Sequence, residues 1–117
     1  MDVFRISRRS ALAAGLVTVM PLRRALAQAY PDRPIRWIVA YAAGGGTDTL
    51  ARILGAAMSL RLGQPMVIEN RPGAATNIGA EAAARSAPDG YTVFSADNGT
   101  LVFNPALFRK LPYDPDR

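Results

Sequence analysis

Ile35-Arg-Trp-Ile-Val-Ala-Tyr-Ala-Ala-Gly-Gly-Gly-Thr-Asp-Thr-Leu-Ala-Arg52 carries an apolar run into three glycines and then directly into a helical pattern. In physical terms it is a strand, a tight loop and a helix N-terminus. Such a junction aims backbone N–H groups and the positive end of a helix dipole at one point, which suits an anion. Ile35 to Val39 reads as the first strand; the near-continuous apolar character of Ile35, Trp37, Ile38, Val39 and Ala40 predicts a parallel strand covered on both faces, with Trp37 a core residue.

The pattern repeats downstream. Leu50, Ile53, Leu54, Ala57 and Met58 fall at helical spacing and predict the buried stripe of the first helix. Thr47 or Asp48 can cap that helix, and Gly63 followed by Pro65 ends it. Met66 to Glu69 reads as a second strand, Asn70-Arg-Pro-Gly73 as a turn, and Ala74 to Ile78 as a second small-residue loop. Ile78 to Ser86 is helical, with Asn77 a candidate cap. Tyr91 to Ser95 is a third strand, Asp97 to Thr100 a polar loop, and Asn104 to Phe108 a single helical turn. This β-loop-α alternation predicts an α/β fold with a parallel sheet, and all three loops that follow strands share its carboxyl edge. Open α/β sheets bind ligands at that edge.

Composition removes several function classes. The chain has 117 residues and a net charge of +5. Residues 1–27 hold five arginines and one acid, whereas residues 28–117 hold nine basic and eight acidic residues. The basic character belongs to the leader, and the body has no basic stripe for nucleic acid. Cysteine and histidine are absent. Disulfides, thiolate metal sites, lipoprotein anchoring and His-based catalysis are therefore excluded. Asp89 and Asp114 lie in turns without a paired carboxylate, so no catalytic or metal constellation and no cofactor is expected.

Residues 1–29 read as a twin-arginine signal peptide. Ser7-Arg-Arg-Ser-Ala-Leu12 precedes an apolar run, Ala11 to Met20, too short for a bilayer span of ~20 residues. Pro21 ends the run, and Ala25-Leu-Ala27 and Ala27-Gln-Ala29 are both cleavage sites. Export to a bacterial periplasm is expected.

Three anions compete for the glycine loop. A phosphate loop requires a lysine after its glycines, and Lys110 is the only lysine. A dinucleotide fingerprint finds Gly44-x-Gly46 and an acid, Glu69, at the end of the next strand. However, its third glycine falls on Thr49, and Asp48 would crowd a pyrophosphate. A small carboxylate held by amides and the Thr47 hydroxyl makes use of Asp48, which can accept from loop amides and from the ligand. Spacing alone leaves this reading level with a glycine turn that serves only tight packing.

Six motifs bear on the choice: Tyr30-Pro-Asp-Arg-Pro-Ile-Arg36; Ala43-Gly-Gly-Gly-Thr-Asp48; Gly63-Gln-Pro-Met-Val-Ile-Glu-Asn-Arg-Pro-Gly-Ala74; Asn77-Ile-Gly-Ala80; Ala87-Pro-Asp-Gly-Tyr91; and Asn104-Pro-Ala-Leu107 with Leu111-Pro-Tyr-Asp114. In this order they resemble the Bug family of periplasmic solute-binding receptors, the substrate-binding subunits of tripartite tricarboxylate transporters. The resemblance implies a two-lobed, type II periplasmic-binding-protein fold, of which residues 30–117 would be an incomplete first lobe. It implies a small carboxylate ligand, membrane transporter subunits as partners, and no enzymatic activity. Carried over by position, the ligand-binding residues are Ala43, Gly44, Gly45, Gly46, Thr47 and Asp48, then Ala74, Ala75, Thr76, Asn77 and Gly79. Asn98 and Thr100 form a third wall. Where the family has an aromatic or proline before the glycines, this chain has Tyr41 and Ala42. Arg71 could also approach an anion, although arginine in such a turn more often bonds its neighbours. Members of the family are far longer, so the chain is expected to be a fragment or truncated product that binds weakly or not at all alone. The alternative is a fragment of a nucleotide- or dinucleotide-dependent α/β enzyme.

Overall fold

The computed structural model describes residues 29–116. The twin-arginine leader therefore lies outside the described residues, apart from Ala29. The elements are β1 (Ile35–Val39), α1 (Gly46–Leu62), β2 (Met66–Asn70), α2 (Asn77–Ala84), β3 (Thr92–Ser95), a π turn (Gly99–Phe103) and α3 (Asn104–Leu107). The strands form one parallel sheet in the order β2-β1-β3. Register sets Ile38 beside Glu69 and Phe94, and Val39 beside Asn70 and Ser95. The apolar run at 35–40 takes the central place, where Ile35, Ile38, Val39 and Ala40 are buried. Trp37 is half-buried, and its indole N–H donates to Ser95 Oγ at 2.7 Å.

Helix α1 corrects the sequence reading. Its buried residues are Asp48, Ala51 and Gly55, not the large apolar stripe. Ile53 is 63% exposed and Met58 38% exposed, and Leu50, Leu54 and Ala57 also face outward. The reason is close approach. A Cβ on Gly55 would already touch Ile68 Cδ1 and Met66 Cβ at 3.4 Å, so the helix lies too near the sheet for a leucine there. Periodicity marks an apolar face but not the distance at which a face must pack. Gly63 ends the helix in the left-handed region (φ 68°), as expected, and its N–H donates to Ser59 O at 3.0 Å.

Helix α2 covers the other face. Gly79 packs on Ala40, and the Arg36 guanidinium reaches Ser86 Oγ at 2.7 Å. Neither helix start is capped as expected. Gly45 is the N-cap of α1 and Thr76 that of α2, both without a side-chain capping bond. Asn77 is the first helical residue instead, and its side chain turns inward to Asn104. After β3, helical structure starts earlier than the expected turn at 104. Asp97 accepts from the Thr100 N–H at 2.9 Å and from the Leu101 N–H at 3.0 Å, which starts the π turn that leads into α3.

At the far edge of the sheet the entry segment is tied to the turn before β3. Tyr30 Oη donates to Gly90 O at 2.6 Å, Arg33 pairs with Asp89 at 2.7 Å, and the Arg33 guanidinium stacks 4.2 Å above the Tyr91 ring. Asp32 accepts from the Tyr91 hydroxyl, which raises that phenol above its ordinary pKa. Among the described residues no helix is long and apolar enough to cross a membrane.

Candidate functional site

Three loops leave the carboxyl edge of the sheet together, and two side-chain networks fix them. The first surrounds Asp48. Gly44 takes φ +83°, the left-handed region that glycine enters without cost, and its N–H donates to Asp48 Oδ2 at 2.8 Å. Arg52, one turn later, donates to the same oxygen at 2.9 Å. Asn70, at the end of β2, donates from Nδ2 to Asp48 Oδ1 at 2.9 Å and to Tyr41 O at 3.1 Å. Arg52 foremost, then the Gly44 amide and Asn70, holds the Asp48 carboxyl well below the usual carboxylate range. Asp48 is 2% exposed. Its carboxylate therefore shapes the glycine loop, and both oxygens are already occupied. The N–H groups of Gly46 and Thr47 have no acceptor among the described residues.

The second network holds the loop after β2. Ala74, Ala75 and Thr76 have φ of 47°, 52° and 74°, three consecutive non-glycine residues in the left-handed region. Each such residue costs about 1–2 kcal/mol, and this clustering is typical of sites whose surroundings impose it. The Asn77 N–H closes the turn on Ala74 O at 3.1 Å. The N–H groups of Ala75 and Thr76 have no acceptor among the described residues. Thr76 and Thr100 hydroxyls meet at 2.8 Å, and Thr100 Oγ1 lies 2.9 Å from Asp97 Oδ1. The other Asp97 oxygen accepts from the Tyr41 hydroxyl, which joins the ends of β1 and β3. Burial pushes Asp97 up, but the Tyr41 hydroxyl and the Thr100 N–H and hydroxyl outweigh it and leave the carboxyl below its ordinary value. The same bond to Asp97 raises the Tyr41 phenol.

Between these loops lies an open cleft of about 440 Å³, with Tyr41, Ala42, Pro72, Ala75, Thr76 and Phe103 among its walls and Asn104 at its buried edge. Of the residues carried over from the resemblance, Ala75 and Thr76 line this cleft. Ala43, Gly44, Gly45 and Gly46 are exposed and continue the chain from Ala42 on the cleft wall; Thr47 is half-buried. Ala74 and Asn98 are exposed. Asp48, Asn77 and Thr100 are buried and turn their side chains to other residues of the chain, and buried Gly79 packs on β1. Arg71 pairs with Glu69 at 2.5 Å, and Arg36 approaches the same carboxylate at 3.6 Å. The acid in the ribose position is thus engaged by arginines. Sequence reasoning missed Asn70, Asn104 and Phe103. The first two bond partners 22–29 residues away, and no local pattern marks them. No group of three acidic, His or Cys side chains that could hold a metal occurs among the described residues.

A parallel α/β sheet with amide-lined loops at its strand ends is the architecture of one lobe of a periplasmic binding protein, and the solved neighbours are of that class. The chain is similar to a periplasmic binding protein, BugD, at 41% identity and a TM-score of 0.70, over 74% of this chain and 28% of that one. It is similar to Rpa4515 of R. palustris, solved with adipate, at 38% identity and a TM-score of 0.71, over 74% of this chain and 29% of that one. It is likewise similar to MatC of Rhodopseudomonas palustris, solved with bound malate, at 44% identity and a TM-score of 0.71, over 75% and 30% of the two chains. Among curated relatives, a UPF0065 protein of Bordetella bronchiseptica is 40% identical over 109 residues, 93% of this chain and 32% of its own length. The model of the tripartite tricarboxylate transporter family receptor, TctC, matches residues 50–117. The chain belongs to this family of solute-binding receptors. It spans about a third of the length of the Bordetella relative, which it matches over 93% of its own residues.

Proposed function

We propose that this chain supplies part of the binding site of a periplasmic receptor for a small dicarboxylate, working with a tripartite tricarboxylate-type transporter and without catalysis. The observation that carries the reading is that the N–H groups of Gly46, Thr47, Ala75 and Thr76, in the loops at the strand ends, have no acceptor among the described residues, and that Ala75 and Thr76 line the cleft. Such donors match carboxylate oxygens and need no counter-charge. Adipate and malate in two solved neighbours support the ligand class. Residues 30–117 are then the first-lobe portion of the receptor, and residues 1–29 direct export by the twin-arginine route. Ala43 to Thr47 and Ala74 to Thr76 contact the ligand, Asn98 borders it, and Asp48, Asn77, Gly79 and Thr100 hold those contacts in place.

The test is titration of the isotope-labelled chain with malate, adipate and NAD, followed by amide chemical shifts, which report weak as well as tight binding. Saturable shifts at Gly46, Thr47, Ala75 and Thr76 with the diacids are expected. Shifts with NAD alone would support the nucleotide alternative and end the carboxylate reading.

A further inference from the structure

We propose that Asn104 is the positioning residue of the cleft: its carboxamide holds the Ala74–Thr76 turn in its left-handed shape and thereby aims the free amides of that turn. Only the last step, what those amides then bind, rests on the carboxylate reading above.

Asn104 is 2% exposed and begins α3, far along the chain from the turn. Its Nδ2 lies 2.6 Å from Ala75 O, 2.8 Å from Asn77 Oδ1 and 3.3 Å from Thr76 Oγ1. The carbonyl of Ala75 can only accept, so the amide nitrogen must face the turn. One donor group thus reaches three successive residues. Among the described residues no other side chain bonds the backbone of the turn. The bonded carbonyl belongs to the middle left-handed residue, so its position follows directly from the unusual φ of Ala75. Alanine has no intrinsic reason to adopt this conformation, and something outside the turn must favour it.

The support behind Asn104 is also built. Tyr113 donates to Thr100 O at 2.7 Å and lies 3.5 Å from Asn104 Nδ2, which pins the π turn on which α3 rests. Because Ala75, Thr76 and Asn104 border the same cleft, a shift of the asparagine moves the amides that face it.

A rescue experiment separates positioning from general support. In Asn104→Ala the turn loses its donor. In Asn104→Asp the shape is kept, but a carboxylate oxygen, which only accepts, faces the Ala75 carbonyl. Ala75→Gly removes the conformational penalty, since glycine enters the left-handed region freely. Amide hydrogen exchange of the full chain is measured first, without ligand. Exchange at Asn77, whose N–H bonds Ala74 O, should quicken about tenfold or more in both Asn104 variants, with Ile38 and Val39 unchanged. The Asn104→Ala/Ala75→Gly double variant should recover most of that protection and, in the malate and adipate titrations, most of the lost affinity. Unchanged exchange at Asn77 in Asn104→Ala overturns the proposal. If Asn104→Ala does not fold, the double variant decides. A folded, protected turn supports positioning, and a double variant that also fails to fold overturns it. A wild-type chain that binds neither diacid defeats the carboxylate reading alone, because the exchange measurement contains no ligand.

Discussion

Gly79 sits against Ala40 with no room for a side chain: a Cβ on the glycine would lie 2.8 Å from the Ala40 Cβ and 3.1 Å from its Cα. This contact brings the start of α2, and the left-handed turn before it, down onto the end of the central strand.

The first prediction follows from that distance. Helix propensity alone would favour alanine at position 79 by up to about 1 kcal/mol. The clash is with a neighbouring Cβ and a backbone carbon, neither of which can swing aside, and overpacking of this kind costs about 1–3 kcal/mol. Gly79→Ala should therefore lower stability in denaturant unfolding. A gain would mean that α2 can lift from β1 without loss.

The second concerns which face of α1 is inside. Ala51 is 2% exposed, so Ala51→Leu forces the helix off the sheet and should cost about 1–3 kcal/mol. Ile53→Gln, on the outward face, should change stability by less than about 0.5 kcal/mol and reduce self-association. Thermal unfolding and light scattering of the two variants check this. The reverse order of stabilities would restore the face expected from apolar periodicity.

Acid provides the third. The folded-state pKa of Asp48 is depressed below its ordinary 3.8. Its contribution to stability is thus fully present above that value and lost as pH falls through the lower, folded one. The stability difference between wild type and Asp48→Asn should be constant near neutrality and shrink below about pH 4. A difference that persists unchanged into strong acid would mean that the charge of Asp48 contributes nothing.

A fourth addresses the bond between the ends of β1 and β3. Tyr41 is raised above 10.0 chiefly by its hydrogen bond to Asp97, with burial adding to it. The tyrosinate absorbance that disappears in Tyr41→Phe should titrate later than that of a free tyrosine. In Asp97→Asn it should move back toward the ordinary value. Titration at the ordinary value in the wild type would show that the two groups are apart.

Much of the sheet was legible because glycine and proline punctuate it. Gly63 with Pro65, and Ala87-Pro-Asp-Gly90, each impose a break that a helix or strand cannot cross. The apolar run of β1 was legible as a parallel strand, while its place between β2 and β3 is known from the structure. The face of α1 was not legible, because Ala51 and Gly55 carry no hydrophobic signal and are chosen for closeness. The glycine loop was legible as a helix start, and the role of Asp48 in holding its amides followed from chemistry. The left-handed turn was hidden, since alanine and threonine are the wrong residues to announce a positive φ. What enforces it comes from Asn104, whose partners lie 27–29 positions back in the chain.

With β1 between its two partners, the outer margins of β2 and β3 each retain a row of main-chain groups with no strand beside it among the described residues. Val67 on β2 is half exposed, so the sheet face it points to is also little covered. The three strands thus form a nucleus that can be extended at either flank, by a segment of the same polypeptide or by a stranger, and whichever arrives first decides between a larger domain and an aggregate.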